Sequence, residues 1–152
     1  MNYKGHKMSV KIITDSTCDI TVENAKSMDV ELIPLKVNFG KDEYIDKFTI
    51  TNEDFYKKLK TCVELPTTTL VNHQTFFEAF KKYPDDDIVV ILISQKLSGT
   101  FQSAVMAKQE SGRDNIYLID SDTATIGAAL LVYEAVRYRD AGASAKEIAE
   151  KL

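Results

Sequence analysis

Hydroxyl groups clustered beside a side-chain-free backbone are where this sequence could do chemistry. In SQKLSGT (94–100) Ser98 and Thr100 flank Gly99, whose missing side chain lets a ligand or another segment come close. A helix beginning there would present N–H groups without intrahelical partners and a positive dipole end, so an anionic group is the natural guest. The alternative is that Ser98 only caps the helix, a role worth about 1 kcal/mol that needs no ligand. Two other stretches have similar composition, TDSTCD (14–19) and DSDTATIG (120–127). In the first, Asp15 or Ser16 either caps a following helix or sets the loop through Asx-type hydrogen bonds. In the second, Thr123 is a candidate N-cap and Asp120 a brace for neighbouring loops. Thr67, Thr68 and Thr69 add three hydroxyls in a connection that need not belong to a sheet. They read either as a solvated loop or as further donors to the same anion.

Signatures of catalysis do not accompany these hydroxyls. The sequence has no GxxxxGKS/T loop, no GxGxxG at a strand end and no GxSxG elbow. A nucleophile at Ser98 would need a base, and the two histidines, His6 and His73, have no evident orienting partner. No metal-ligating constellation is visible. Cys18 and Cys62 are too few for a disulfide framework or a zinc quartet; one bridge between them is formally open, but they read as free thiols in a reducing compartment.

The elements that must position the loops follow from periodicity and punctuation. SVKIIT (9–14) is a short β-type run, and TVENAKSMD (21–29) reads as a short helix. ELIPLKVNFG (31–40) is extended, with Pro34 excluding a helix and favouring an edge or a bulge. Tyr44 and Ile45 extend this region as a second short strand. Thr51 and Asp54 have capping-box-like spacing ahead of a helix through Cys62, with Phe55 and Leu59 on one face. NHQTFFEAFKKY (72–83) is helical, with Phe76, Phe77 and Phe80 on its apolar face. IVVILI (88–93) is the continuous apolar run of a strand covered on both sides, expected at the centre of the sheet. A helix over 97–110, a strand over 115–119 and a helix over 124–141 follow. Ser144 and Glu147 then form a capping box for a last helix.

Strands alternating with helices predict an α/β domain, a mainly parallel sheet with helices on both faces. In such sheets ligands sit outside the carboxyl ends of the strands, which is where the three hydroxyl-rich loops fall. The 152 residues suffice for one domain, and 44% apolar with 28% charged residues is the composition of a chain that folds. A net charge of −4 with dispersed lysines argues against a nucleic-acid partner. No apolar run approaches the ~20 residues of a membrane span, and the polar start has no signal-peptide core. The chain reads as cytoplasmic, without stable membrane insertion.

Taken in order, TDSTCDI, PLKVNFG with the Tyr44 region, LPTTT before an aromatic helix, SQKLSGTFQSA and LIDSDTATIG resemble the DegV family of bacterial fatty-acid-binding proteins, from about residue 9 to 152. The resemblance implies two α/β domains, of which this chain looks like the first, with the second domain absent from it. It implies a bound long-chain fatty acid as ligand and no cofactor, the acyl tail in an apolar tunnel and the carboxylate held by hydroxyls. It also implies a non-enzymatic carrier and a separate fatty-acid kinase subunit that phosphorylates the presented carboxylate. The family's Thr-Ser-Gln-Pro motif falls on Thr68, Thr69, Leu70 and Val71, and its Ser-Gly-Thr/Ser loop on Ser98, Gly99 and Thr100. By that carry-over Thr68 and Ser98 hold the carboxylate, with Thr67 and the amides of Gly99 and Thr100 nearby. Leu70 and Val71 stand where the family has Gln and Pro, so the path of that loop is open.

Residues 1–8 are expected to be a leader, either disordered or left from expression. Phe76, Phe80, Ile126 and Leu130 read as tunnel lining or, by the ordinary behaviour of such stripes, as core. Two other functions stand beside the carrier. One is an enzyme acting on a small phosphorylated or carboxylated metabolite, with the Ser98 loop as an anion cradle. The other is a regulatory interaction domain whose hydroxyl loops are only caps.

Overall fold

The structure, a computed structural model, describes residues 9–152, so the leader expected at 1–8 lies outside the described residues. Its elements run β1 (Val10–Asp15), α1 (Val22–Ser27), β2 (Val30–Ile33), β3 (Lys36–Phe39), β4 (Asp42–Ile45), α2 (Asn52–Thr61) and β5 (Thr67–Thr69). They continue with α3 (His73–Lys81), β6 (Asp87–Leu92), α4 (Thr100–Ser111), β7 (Ile116–Asp120), α5 (Thr125–Asp140) and α6 (Ala145–Lys151). Four strands form a parallel sheet in the order β2-β1-β6-β7, with Ile12 opposite Val89 and Val90 opposite Leu118.

Alternation along the two inner strands builds a core on each face of that sheet. Ile12, Val89 and Ile91 pack on α1, α5 and α6 through Ala25, Ala128, Val132 and Ile148. Ile13, Ile88, Val90 and Leu92 face the other way, onto α3 and α4 through Phe76, Phe80, Ala104 and Ala107. This is the expected α/β architecture, and the unbroken apolar run at 88–92 is buried because helices cover both of its sides. Phe76 and Phe80 are core residues, not the wall of a channel, whereas Ile126 and Leu130 are about 60% exposed on α5.

A second sheet, antiparallel and ordered β4-β3-β5, stands apart from the first. Its existence corrects two expectations. The extended run 31–40 is not one strand: it breaks at Pro34 and Leu35, so that β2 edges the parallel sheet and β3 enters the small one. The threonines at 67–69 are not loop but strand β5, paired with β3 so that Thr68 faces Val37. Pro34 cannot donate to a ladder, which makes it a natural place for a chain to change sheets. Helix α2 rides on the small sheet by an edge-to-face contact of Phe55 with Phe39, ring centroids 5.5 Å apart, and none of its residues is buried.

Helix ends are mostly where side-chain chemistry puts them. Thr21, Thr51 and Asn72 each accept from the backbone N–H three residues on, and Ser144 with Glu147 completes a reciprocal capping box. Two ends differ from expectation. Helix α4 starts at Thr100 instead of Leu97, because the amides of Leu97 and Ser98 turn back to the carbonyl of Ser94. Thr123 does not cap α5: its hydroxyl donates to the carbonyl of Ala124, the cap residue, at 3.3 Å.

Candidate functional site

The loops at the carboxyl ends of β1, β6 and β7 are held together by two carboxylates. Asp15 is 1% exposed. One of its oxygens accepts from the Thr17 amide at 2.9 Å and from the Thr17 hydroxyl, and the other from the Ile93 amide at 2.8 Å. It is therefore an Asx-type organiser, not a helix cap, and it joins the first loop to the one after β6. Burial pushes its carboxyl above the ordinary aspartate range, against the opposing pull of the Thr17 and Ile93 donors and the nearby Lys47 ammonium. Asp120 accepts from the amides of Gln95 (3.2 Å) and Asp122 (3.1 Å), so it braces the second loop against the third as its position suggested. Ser94 is buried and organises the turn, while Lys96 pairs with Asp122 at 2.7 Å on the surface; both belong to loop structure.

Ser98 lies at the mouth of α4. Its hydroxyl accepts from the Thr100 amide at 3.2 Å and shares a hydrogen bond of 2.9 Å with the Thr100 hydroxyl. Gly99, the residue immediately before the helix, makes no side-chain cap. Ser98 is half-buried, Gly99 exposed and Thr100 fully buried, so Ser98 is the member of the trio whose hydroxyl has both a fixed position and access to solvent. It supports the helix start and remains available to an anion there.

Thr67 and Thr68 are exposed on β5 and open onto a cleft of about 380 Å³ between the small sheet, α2 and the first loop. Ser16 and Thr17 add hydroxyls, and Val37, Ile50 and Phe55 add apolar wall. Thr69 is committed elsewhere, accepting from the Asn38 amide group at 3.0 Å. A second cleft of about 420 Å³ shares Asp19, Lys47, Ile50, Thr51 and Asn52 with the first. Ser98, Gly99 and Thr100 do not line either cleft. They meet the threonine strand by way of Leu70: a Cβ placed on Gly99 would lie 3.1 Å from Leu70 Cδ2.

The substituted pair after β5 is thereby accounted for. Val71 is 3% exposed in the core with Phe76, Leu70 packs on Gly99, and Asn72 caps α3. His73 begins α3 and lies 3.5 Å from Glu110 at the surface. Among the described residues no group of His, Cys, Asp and Glu is arranged to hold a metal ion, and no helix is long and apolar enough to cross a membrane.

Lys47 is the site residue that sequence reasoning missed. It lines both clefts, and its ammonium donates to the carbonyls of Cys18 and, at 3.0 Å, Ile20, tying the turn after β4 to the first loop. Its backbone is left-handed, φ 66°, a conformation that glycine or asparagine would have signalled and lysine does not.

Residues 9–152 match the DegV family of uncharacterised proteins. A DegV domain-containing protein of Clostridium perfringens is 34% identical over 145 residues, spanning 94% of this chain and 52% of the relative. The chain thus spans about half the length of the curated relatives it matches. Among solved structures, a DegV family protein from Thermus thermophilus, described as binding fatty acid, superposes with a TM-score of 0.86 at 28% identity, over 95% of this chain and 52% of that one. A stearic-acid-binding protein from Eubacterium ventriosum gives 0.83 at 29%, over 93% and 51%.

Proposed function

The chain belongs to the DegV family, and on that premise we propose that it binds a long-chain fatty acid and presents the carboxylate to a fatty-acid kinase for acyl-phosphate formation, without catalysing a reaction itself. The observation that carries this reading is the likeness to structures described as fatty-acid-binding, at TM-scores up to 0.86 over nearly the whole chain. The local chemistry supports it. Ser98 at the start of α4 and Thr68 on β5 are hydroxyl donors reaching solvent, with Thr67 beside Thr68 and the Gly99 amide beside Ser98, while the Thr100 amide donates to the Ser98 hydroxyl.

A carboxylate removed from water without partners costs several kcal/mol, and hydroxyls with a helix start offset that cost. Burial of each methylene contributes about 0.8 kcal/mol, so in this reading the tail supplies affinity and the hydroxyls supply orientation. The kinase partner and a cytoplasmic location are parts of the same proposal. The metabolite-enzyme reading has no comparable support, since His73, the histidine among the described residues, pairs with Glu110 at the surface.

Lipid extracted from the full-length protein under denaturing conditions is expected to contain a long-chain fatty acid, detected by mass spectrometry. The combined change Thr68→Val and Ser98→Ala should weaken fatty-acid binding by at least tenfold, the scale of about 1.4 kcal/mol for hydrogen bonds to a charged group. Protein that carries no acyl chain and takes up none when it is added would defeat the proposal.

A further inference from the structure

The two groups of hydroxyls proposed to share one carboxylate stand on different sheets. Ser98 follows β6 in the parallel sheet, whereas Thr67 and Thr68 are on β5, three exposed residues at the edge of the small sheet. Strand β5 pairs with β3 alone, so its own ladder does not fix its distance from Ser98. The next residues bring the strand's end to the Ser98 loop. Val71 enters the core below, and Leu70 lies across Gly99 so closely that a Cβ there would be 3.1 Å from Leu70 Cδ2, inside the ~3.5–4.0 Å optimum for two carbons.

Gly99 has φ −72° and ψ 2°, angles open to any residue. The backbone therefore does not require a glycine here; what Gly99 provides is room for the Leu70 methyl, which an added Cβ would oblige to give by a few tenths of an ångström.

We propose that the Leu70–Gly99 contact sets the spacing between the threonine strand and the Ser98 loop, which makes Leu70 a positioning residue for the carboxylate site. This rests on the fatty-acid-binding reading above. Leu70 is 41% exposed and outside the main cores, so its packing on Gly99 serves the alignment of the two loops more than global stability.

The test is a double-mutant cycle on the full-length protein, with affinity for palmitate measured by titration and the carboxyl-carbon resonance of labelled palmitate followed by NMR. Gly99→Ala obliges the Leu70 methyl to give by a few tenths of an ångström and, on this proposal, should weaken binding about tenfold and shift the carboxyl resonance, with the melting temperature nearly unchanged. Leu70→Ala alone should weaken binding about threefold. The double variant should bind as Leu70→Ala does, because the methyl added by Gly99→Ala then has room. A double variant as weak as Gly99→Ala, or a Gly99→Ala protein that binds like wild type, overturns the positioning role while leaving fatty-acid binding intact. Wild-type protein that does not bind palmitate at all removes the function and the positioning role together.

Discussion

Asp15 shows how much one side chain can organise. Its carboxyl is buried, accepts three hydrogen bonds and is pushed above the ordinary aspartate range by burial. A folded pKa above the unfolded value of 3.8 means that the fold favours the protonated form. The contribution of Asp15 to stability is then complete below pH 3.8 and is lost as pH rises through the raised pKa. The loss of stability caused by Asp15→Asn should therefore be larger at about pH 3.5 than at about pH 7, measured by urea unfolding of both proteins across that range. A loss that grows with pH would mean that the carboxylate is the favoured form.

At the scale of elements, Arg113 ties three segments with one planar group. Its guanidinium donates to the carbonyls of Phe80 and Tyr83 (both 3.0 Å) and of Asp86, and to the Asn115 side chain at 3.1 Å. It thereby fastens the end of α3 to the chain entering β6 and β7. Arg113→Ala should cost about 2–3 kcal/mol in chemical denaturation, and Arg113→Lys should recover less than half of that, since an ammonium cannot reproduce the planar fork. An alanine variant as stable as wild type would show that solvent replaces the fork without loss. Such ties are hard to read in a sequence because they join residues distant along the chain.

What was legible were signals carried within a few residues: the apolar run at β6, the aromatic face of α3, the capping box at Ser144 and Glu147. Tyr44 and Ile45 marked β4 of the small sheet, but β5 was hidden because Thr67, Thr68 and Thr69 carry no polar–apolar alternation and pair with β3 about thirty residues earlier. The hydroxyl-rich loops were legible as candidates for binding because their composition is local. The Leu70–Gly99 contact and the placement of Lys47 were not, for they depend on where two sheets come to rest.

Across the whole molecule, packing is uneven. The inner strands β1 and β6 are covered on both faces, while α2 buries none of its residues and β5 is exposed throughout. Native-state hydrogen exchange should rank the amides of β1 and β6 as slowest and those of α2 and β5 as far faster, through local opening that leaves the parallel sheet intact. Equal protection of α2 and β6 would show one cooperative unit instead. The hydroxyls proposed to hold a ligand thus come from both the firm and the yielding parts of the fold, and the parallel sheet supplies the fixed reference for the other.

The bond from the Ile93 amide to Asp15 also sets a schedule. Its partners are 78 residues apart, and a ribosome adding about 5–20 residues per second needs roughly 4–16 s to make the second after the first. For most of that interval, until Asp87–Leu92 are made, β1 has β2 as its only available neighbour in the sheet. Synthesis halted before Asp87 would leave a nascent chain with an open strand edge and no means of joining its first loop to its second, a natural substrate for chaperones and proteases.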